Sequence, residues 1–542
     1  MNIDRRSFLL HSLVGGSALL LSRLPAAAES GSTPLPAVPS GGPVDAETIY
    51  GKIRGVNSEG VLFFRGVPYG GPTEGAGRFL PPTKAASWAG VRDALVSGPR
   101  CAGGGAGVLN KGMVGQYFGG GRSTEEVIRQ TESENCLVLN LLTPSLRGKR
   151  PVMVYIHGGG LTTQSGSLVL FAEKHVREQD VVLVGINHRL GVFGYSYWGG
   201  LSEKYAVGNV GQLDLVAALE WVRDNIASFG GDPSNVTIFG ESGGGAKVST
   251  LMAMPAAKGL FHKACIQSGS MLRAGDPGSA TKGAQAILTK FGLSTVEDLQ
   301  RIPAAELVKL SAGQGLGGAA GVGMVIDGHS LLRHPWDPDA PEASAEVPLL
   351  VGNDKDESTS MSLGKGELFT LDWAGLRATE LKAGIPEDQV DALLTLYRQK
   401  FPKETPSNLY FRISTDRGAR YNATKQAELK VTQGRAKVFK YYFQWNTPLF
   451  NGKLRAFHTA DLPLIMRSVL YPESEQLSRA LSGAWAAFAR TGDPSQNGLA
   501  WPAFTTTERA TMVFDVPQSQ AVNDPDQDER LMLKDMPSHA LL

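Results

Sequence analysis

The chain has 542 residues, 42% hydrophobic and 19% charged, with 66 glycines and 31 prolines, which excludes a disordered protein, a collagen and a small disulfide scaffold. Its 53 lysines and arginines against 52 aspartates and glutamates leave a net charge of +1, so there is no electrostatic basis for a nucleic-acid partner or an anionic membrane surface. Three cysteines allow at most one intramolecular disulfide.

Residues 1–28 read as a cleavable export signal. Asp4-Arg5-Arg6-Ser7-Phe8-Leu9-Leu10 leads into the apolar run Leu13–Leu21 and then Leu24-Pro25-Ala26-Ala27-Ala28, a charged start followed by a short apolar stretch and a small-residue end. The paired arginines resemble a bacterial twin-arginine signal, with Leu10 in place of the usual basic residue, so the expected location is the bacterial periplasm or the medium. The apolar stretch is shorter than the roughly 20 residues a membrane span needs, and stable membrane insertion is not expected. Residues 29–42, rich in Ser, Pro and Gly, read as a flexible leader. Cys101 and Cys136 then stand in loop-like sequence and could close a covalent loop, a route open to exported proteins.

From residue 150 short β-rich runs alternate with helical patterns. Pro151–Ile156 and Asp180–Ile186 read as buried strands. Leu213, Val216, Ala217 and Trp221 fall on one helical face, and Gly230-Gly231-Asp232-Pro233 stops that helix. Further strands are expected at Asn235–Phe239, Lys263–Gln267, Val347–Val351 and Lys437–Trp445, with Cys265 a buried free thiol. Residues 274–323 and 363–430 read mainly as helices and loops. Continuous apolar strands separated by helices imply an α/β fold: one domain, residues 43–542, with a large, mostly parallel central sheet, helices on both faces and long helical or loop insertions.

Chemistry concentrates at three places. Gly240-Glu241-Ser242-Gly243-Gly244 is a G-x-S-x-G turn between a strand and a helix candidate, Ala246–Met254, a context that exposes a serine Oγ at the sheet's C-terminal edge. His157-Gly158-Gly159-Gly160 directly follows a strand. Acyl transfer generates an oxyanion that needs backbone N–H groups already aimed at it, and glycines let the main chain approach unobstructed. The N–H of Gly243, the residue after the serine, would complete that set. In the α/β-hydrolase fold the order runs serine, acid, histidine. After Ser242 come His262, His329, His334, His458 and His539. The strand ending in Asn353-Asp354-Lys355-Asp356-Glu357 supplies three candidate acids, which leaves His458 and His539; His458 follows a strand, whereas His539 sits near a chain end, where fraying is usual.

These residues, with Phe64–Tyr69, Arg78–Pro82, Ser133–Asn140, Gln267–Ser270, Phe457-His458 and Phe488–Pro494, resemble the type-B carboxylesterases, the family of bacterial p-nitrobenzyl esterases, mammalian carboxylesterases and cholinesterases. The likeness covers nearly the whole chain beyond the leader. It implies Ser242 as nucleophile, Glu357 as acid and His458 as base, with oxyanion donors at Gly159, Gly160 and Gly243. It also implies a Cys101–Cys136 disulfide, a supporting hydroxyl at Ser268 near the acid, and supporting carboxylates at Glu241 and Asp461. The implied activity is carboxylic-ester hydrolysis through an acyl-enzyme, on a small-molecule ester, with neither metal nor organic cofactor. An amide, carbamate or natural-toxin ester hydrolase of the same fold is an alternative, and a catalytically inactive binding module is another.

Four departures stand out. Asn135 replaces an aspartate beside Cys136, which puts the ion pair usual there in doubt. Gly243 replaces a common alanine and is expected to loosen the turn. Ser358 stands where glycine is usual. No tryptophan lies between Cys101 and Cys136, which argues against choline esters. Nine glycines between Ala102 and Gly121 suggest a mobile rim above the site.

Overall fold

Apolar runs such as Val152–Ile156 and Val182–Ile186 are satisfied only when both faces of a sheet are covered, and both runs are buried throughout. The computed structural model describes residues 41–105, 112–311 and 322–536. The expected signal, most of the leader and His539 lie outside those residues. The strands are β1 (Pro43–Thr48), β2 (Gly51–Ser58), β3 (Val61–Pro68), β4 (Val91–Asp93), β5 (Arg100–Cys101), β6 (Glu132–Ser133), β7 (Val138–Thr143), β8 (Arg150–Ile156), β9 (Val182–Ile186), β10 (Gly231–Glu241), β11 (Lys263–Gln267), β12 (Leu349–Asp354), β13 (Val438–Phe443), β14 (Ala510–Phe514) and β15 (Gln520–Asn523). All but β5 and β6 form a 13-stranded sheet in the order β1-β2-β3-β7-β9-β8-β10-β11-β12-β13-β14-β15, with β4 beside β2.

From β9 through β14 the neighbours are parallel, whereas the pairs from β1 to β9 by way of β7, and the last pair, β14 with β15, are antiparallel. The six expected strands are all present, with ends shifted by a few residues. The antiparallel strands before residue 150 are an addition. Successive side chains separate into two layers: Val152, Val154 and Ile156 join one core while Met153 and Tyr155 join the other. The helix Gly243–Leu251, buried on every side, packs on β10 and β11. The helix Glu475–Thr491 lays Leu477, Leu481, Trp485 and Phe488 on β8 and β10, the spacing of one helical stripe.

Three expectations need correction. The helix after β9 runs Val210–Asn225, but Leu215, Ala218, Leu219 and Val222 point deepest, while Leu213 and Ala217 are only half-buried; a helix covered by chain on both flanks has no single apolar face. Part of the glycine-rich rim is ordered as a helix, Gly112–Gly119, because Val114, Tyr117 and Phe118 are buried and Tyr117 Oη donates to the Ala460 carbonyl at 2.7 Å. The ion pair that Asn135 put in doubt is made by its neighbour. Arg78 grips both carboxylate oxygens of buried Glu134, and its remaining nitrogen donates to the carbonyls of Leu299 and Ile302 at 2.6 and 2.8 Å. Asn135 Oδ1 instead accepts from Thr73 N at 2.8 Å, a task that needs no charge.

Removing one partner of a buried pair leaves the other uncompensated. Arg78→Ala is therefore expected to lower unfolding free energy by about 3–5 kcal/mol in denaturant titration; a loss below about 1 kcal/mol, the range of an exposed pair, would contradict that reading.

Candidate active site

β8 has β9 on one side and β10 on the other, so the chain leaves β8 in one direction and returns in the opposite one. Loops at the carboxyl ends of such strands face a common crevice. The glycine run His157–Gly160 leaves β8 and Ser242 leaves β10, directly across it. Ser242 has φ 59° and ψ −127°, a conformation that costs energy and holds the side chain on the turn into the helix Gly243–Leu251. Its N–H is tied to the Gln267 carbonyl at 2.9 Å.

The glycine run lies against this turn. Gly159 and Gly160 have φ of 74° and 61°, the left-handed region that glycine adopts without cost. A Cβ placed on Gly243 would overlap the backbone of Gly160. The expected loosening at Gly243 is thus not what the missing methyl does: the space is filled by the opposite loop. Among the described residues the N–H groups of Gly159, Gly160 and Gly243 have no acceptor.

The acid and the histidine come from neighbouring strands, β12 and β13, whose following loops are stitched together. Asp356 N donates to the Ala456 carbonyl at 2.8 Å, Thr359 Oγ1 to the Leu454 carbonyl at 2.8 Å, and Ala460 N to Asp354 Oδ2 at 3.0 Å. Each of the three candidate acids has a different task. Asp354 holds Ala460, Asp356 pairs with Arg455 at 3.2 Å, and Glu357 accepts a hydrogen bond from His458 Nδ1 through Oε2. Glu357 Oε1 accepts from Asp354 N at 2.9 Å, which holds the carboxylate, and Glu357 N donates to Thr415 Oγ1 at 3.0 Å, which holds its backbone. Among the described residues His458 Nε2 has no hydrogen-bond partner, and it lies 3.4 Å from Glu241 Oε1.

Four carboxyls, Glu241, Asp354, Glu357 and Asp461, are buried around this imidazole. Burial pushes Glu241 well above the usual carboxylate range; His458 opposes that, while Asp461 and Glu357 reinforce it. Asp354 is driven up by burial and by the other three. Asp461 is raised by burial to about 6, moderated by hydrogen bonds from Tyr441 Oη at 2.7 Å and Gln267 Nε2 at 3.1 Å. For His458 burial works against protonation, but Glu241 and Glu357 outweigh it and raise the imidazole to about 9. The region cannot ionise every carboxyl at once, because like charges in a dry site disfavour one another.

Glu241 thus lies beside His458 Nε2, and Asp461 acts on the same imidazole through its charge. Ser268 adjoins β12 through its N–H on the Gly352 carbonyl at 2.9 Å, but among the described residues its Oγ makes no hydrogen bond, with Glu357 or any other group. Asp354, Thr415, Tyr441 and Gln267 escaped sequence reading as supports; only Asp354, inside the carboxylate cluster, carried a signal. Cys101 and Cys136 come together in the interior as thiols, with a hydrogen bond between them that, with burial, pushes Cys136 up. Cys265 is a buried thiol, as expected.

A family model described as "Carboxylesterase family" matches residues 43–532. The chain is 32% identical over 512 residues to the para-nitrobenzyl esterase of Bacillus subtilis (strain 168), covering 90% of this chain and 97% of that one. It is 32% identical over 531 residues to liver carboxylesterase 1 of Oryctolagus cuniculus, covering 87% and 89%. Among solved structures, carboxylesterase EST55 of Geobacillus stearothermophilus at pH 6.2 superposes with a TM-score of 0.76 at 35% identity, over 90% of this chain and 99% of that one. A PNB esterase superposes with a TM-score of 0.74 at 31% identity, over 90% and 99%.

A fluorophosphonate probe is expected to label one serine, Ser242, with labelling abolished in Ser242→Ala; a label retained elsewhere would refute the site. Gly243→Ala forces the glycine run outward and is expected to slow labelling by about 10²-fold, the cost of one oxyanion donor; an unchanged rate would show that the two backbones do not need to touch.

Proposed function

We propose, from the premise that this chain belongs to the carboxylesterase family and is a carboxylic-ester hydrolase, that Ser242, His458 and Glu357 carry the reaction. His458 Nε2 takes the proton from Ser242 Oγ as it attacks the ester carbonyl. The N–H groups of Gly159, Gly160 and Gly243 hold the oxyanion, the alcohol leaves with the proton from His458, and water activated by the same imidazole releases the acid. Glu357 keeps Nδ1 protonated and turned away from the serine. The hydrogen bond between His458 and Glu357 carries the proposal, because it separates Glu357 from the two carboxyls beside it.

The proposal extends to export. Residues 1–28 act as a twin-arginine-type signal, and residues 43–542 are the single hydrolase domain that remains after cleavage and a short leader. Cys101 and Cys136 form a disulfide once the chain is in an oxidising compartment, a reading supported by the contact between their buried side chains. Peptide mapping of exported protein is expected to find the two cysteines linked and an N-terminus near Glu29; free thiols or an intact Met1 would overturn the respective part.

Ser242→Ala is expected to lower kcat on p-nitrophenyl acetate by about 10⁶-fold and His458→Ala to approach it, since such residues act as a unit; near-normal turnover in either refutes the assignment. The base must be neutral to act, so kcat/KM should climb with pH towards a limb near 9. Glu241 favours the charged imidazole, and Glu241→Gln should therefore move the limb to lower pH; a limb unmoved by that change would remove Glu241 from the proton balance.

A further inference from the structure

Lys247 lies five residues after Ser242 on the same helix and is 0% exposed. Among the described residues no carboxylate is within ion-pair reach of it, and its Nζ donates to one acceptor, the His157 carbonyl, at 2.9 Å. Around it stand the His157 and His188 rings, 4.6 Å apart and buried, with Tyr195 at the edge of His188. Both imidazoles are held neutral, by burial first and then by Lys247, with Arg189 also acting on His188. Burial without a counter-ion lowers Lys247 to about 7, the mark of an amine that is costly to keep here, so the hydrogen bond it makes is where a compensating benefit must be sought.

That bond has a particular place. His157 is the last residue with a side chain before Gly158-Gly159-Gly160, a run with no side chain to anchor it and more conformational freedom to lose than any other sequence. The carbonyl that Lys247 grips belongs to the peptide that opens this run. The lysine grows from the helix that begins at the nucleophile, so it ties the two walls of the crevice to each other. We infer that Lys247 is a positioning residue of the oxyanion loop: by holding the His157 carbonyl it directs the N–H groups of Gly159 and Gly160 at the developing oxyanion. This rests on those glycines being the oxyanion donors.

Lys247→Met keeps the stem and removes the donor. In protein shown to be folded by near-UV circular dichroism, kcat on p-nitrophenyl acetate is expected to fall about 10–100-fold, part of the cost of an oxyanion donor, with KM within about threefold. Affinity for a trifluoromethyl ketone, which forms the tetrahedral oxyanion, should fall in step with kcat/KM. Unchanged kcat, or a loss of kcat with unchanged ketone affinity, overturns the inference. Should the methionine variant not fold, Lys247→Gln decides by the same two readouts: a shorter, uncharged donor is expected to lose part of both, and full retention of both overturns the inference. The wild type separates the two levels. If it binds the trifluoromethyl ketone no more tightly than the matching methyl ketone, which forms far less of the tetrahedral adduct, the oxyanion assignment itself fails; if it binds it more tightly and Lys247→Met does so equally, only the role of Lys247 fails.

Discussion

Two stretches of bare backbone, Gly160 and Gly243, touch across the crevice between β8 and β10. A stabilising site for an oxyanion has to be rigid before the charge appears, because donors that must reorganise lose much of their value. Glycine allows the approach but supplies no rigidity of its own. The stiffness comes from elsewhere: the parallel pairing of β8 with β10, the strained turn at Ser242, and the buried helix Gly243–Leu251 packed on β10 and β11.

The histidine side of the site solves a different problem. An imidazole that becomes charged during the reaction needs a compensating carboxylate, and burial makes every such carboxylate expensive. Here Glu357 is fixed by Asp354 N and, through its own N–H, by Thr415, and Asp461 is fixed by Tyr441 and Gln267. Among the described residues Glu241 receives no hydrogen bond, and it is the charge of His458 that opposes the upward push of burial on it. The carboxyls that favour the imidazolium also raise His458, so with His458 as the proposed base the pH dependence is expected to follow the cluster as a whole.

How much of this was legible in the chain follows from how local each feature is. The turn around Ser242 and the glycine run after β8 are encoded within five residues and were readable directly. The choice among Asp354, Asp356 and Glu357 was not, because it depends on how the loop after β12 meets residues 454–460, about a hundred positions later; family resemblance implied Glu357, and the hydrogen bond from His458 Nδ1 supports that proposal. Lys247 and Thr415 gave no signal, since a lysine or threonine in a helical pattern usually faces solvent. Among the antiparallel strands before residue 150, β1, at the sheet edge, alternates exposed and half-buried residues with a single buried alanine, so its apolar pattern is faint, whereas β3 and β7 are apolar and buried along most of their length and carried a signal that went unread.

The central claim is that one serine, one imidazole and three backbone N–H groups meet at a single point. A crystal structure of the protein inhibited by a trifluoromethyl ketone tests it most directly. The expected result is a bond from Ser242 Oγ to the ketone carbon, with the oxyanion about 2.7–3.1 Å from the N–H groups of Gly159, Gly160 and Gly243 and His458 Nε2 beside Oγ. An adduct whose oxygen points away from the glycine run, or one formed on another residue, would contradict it.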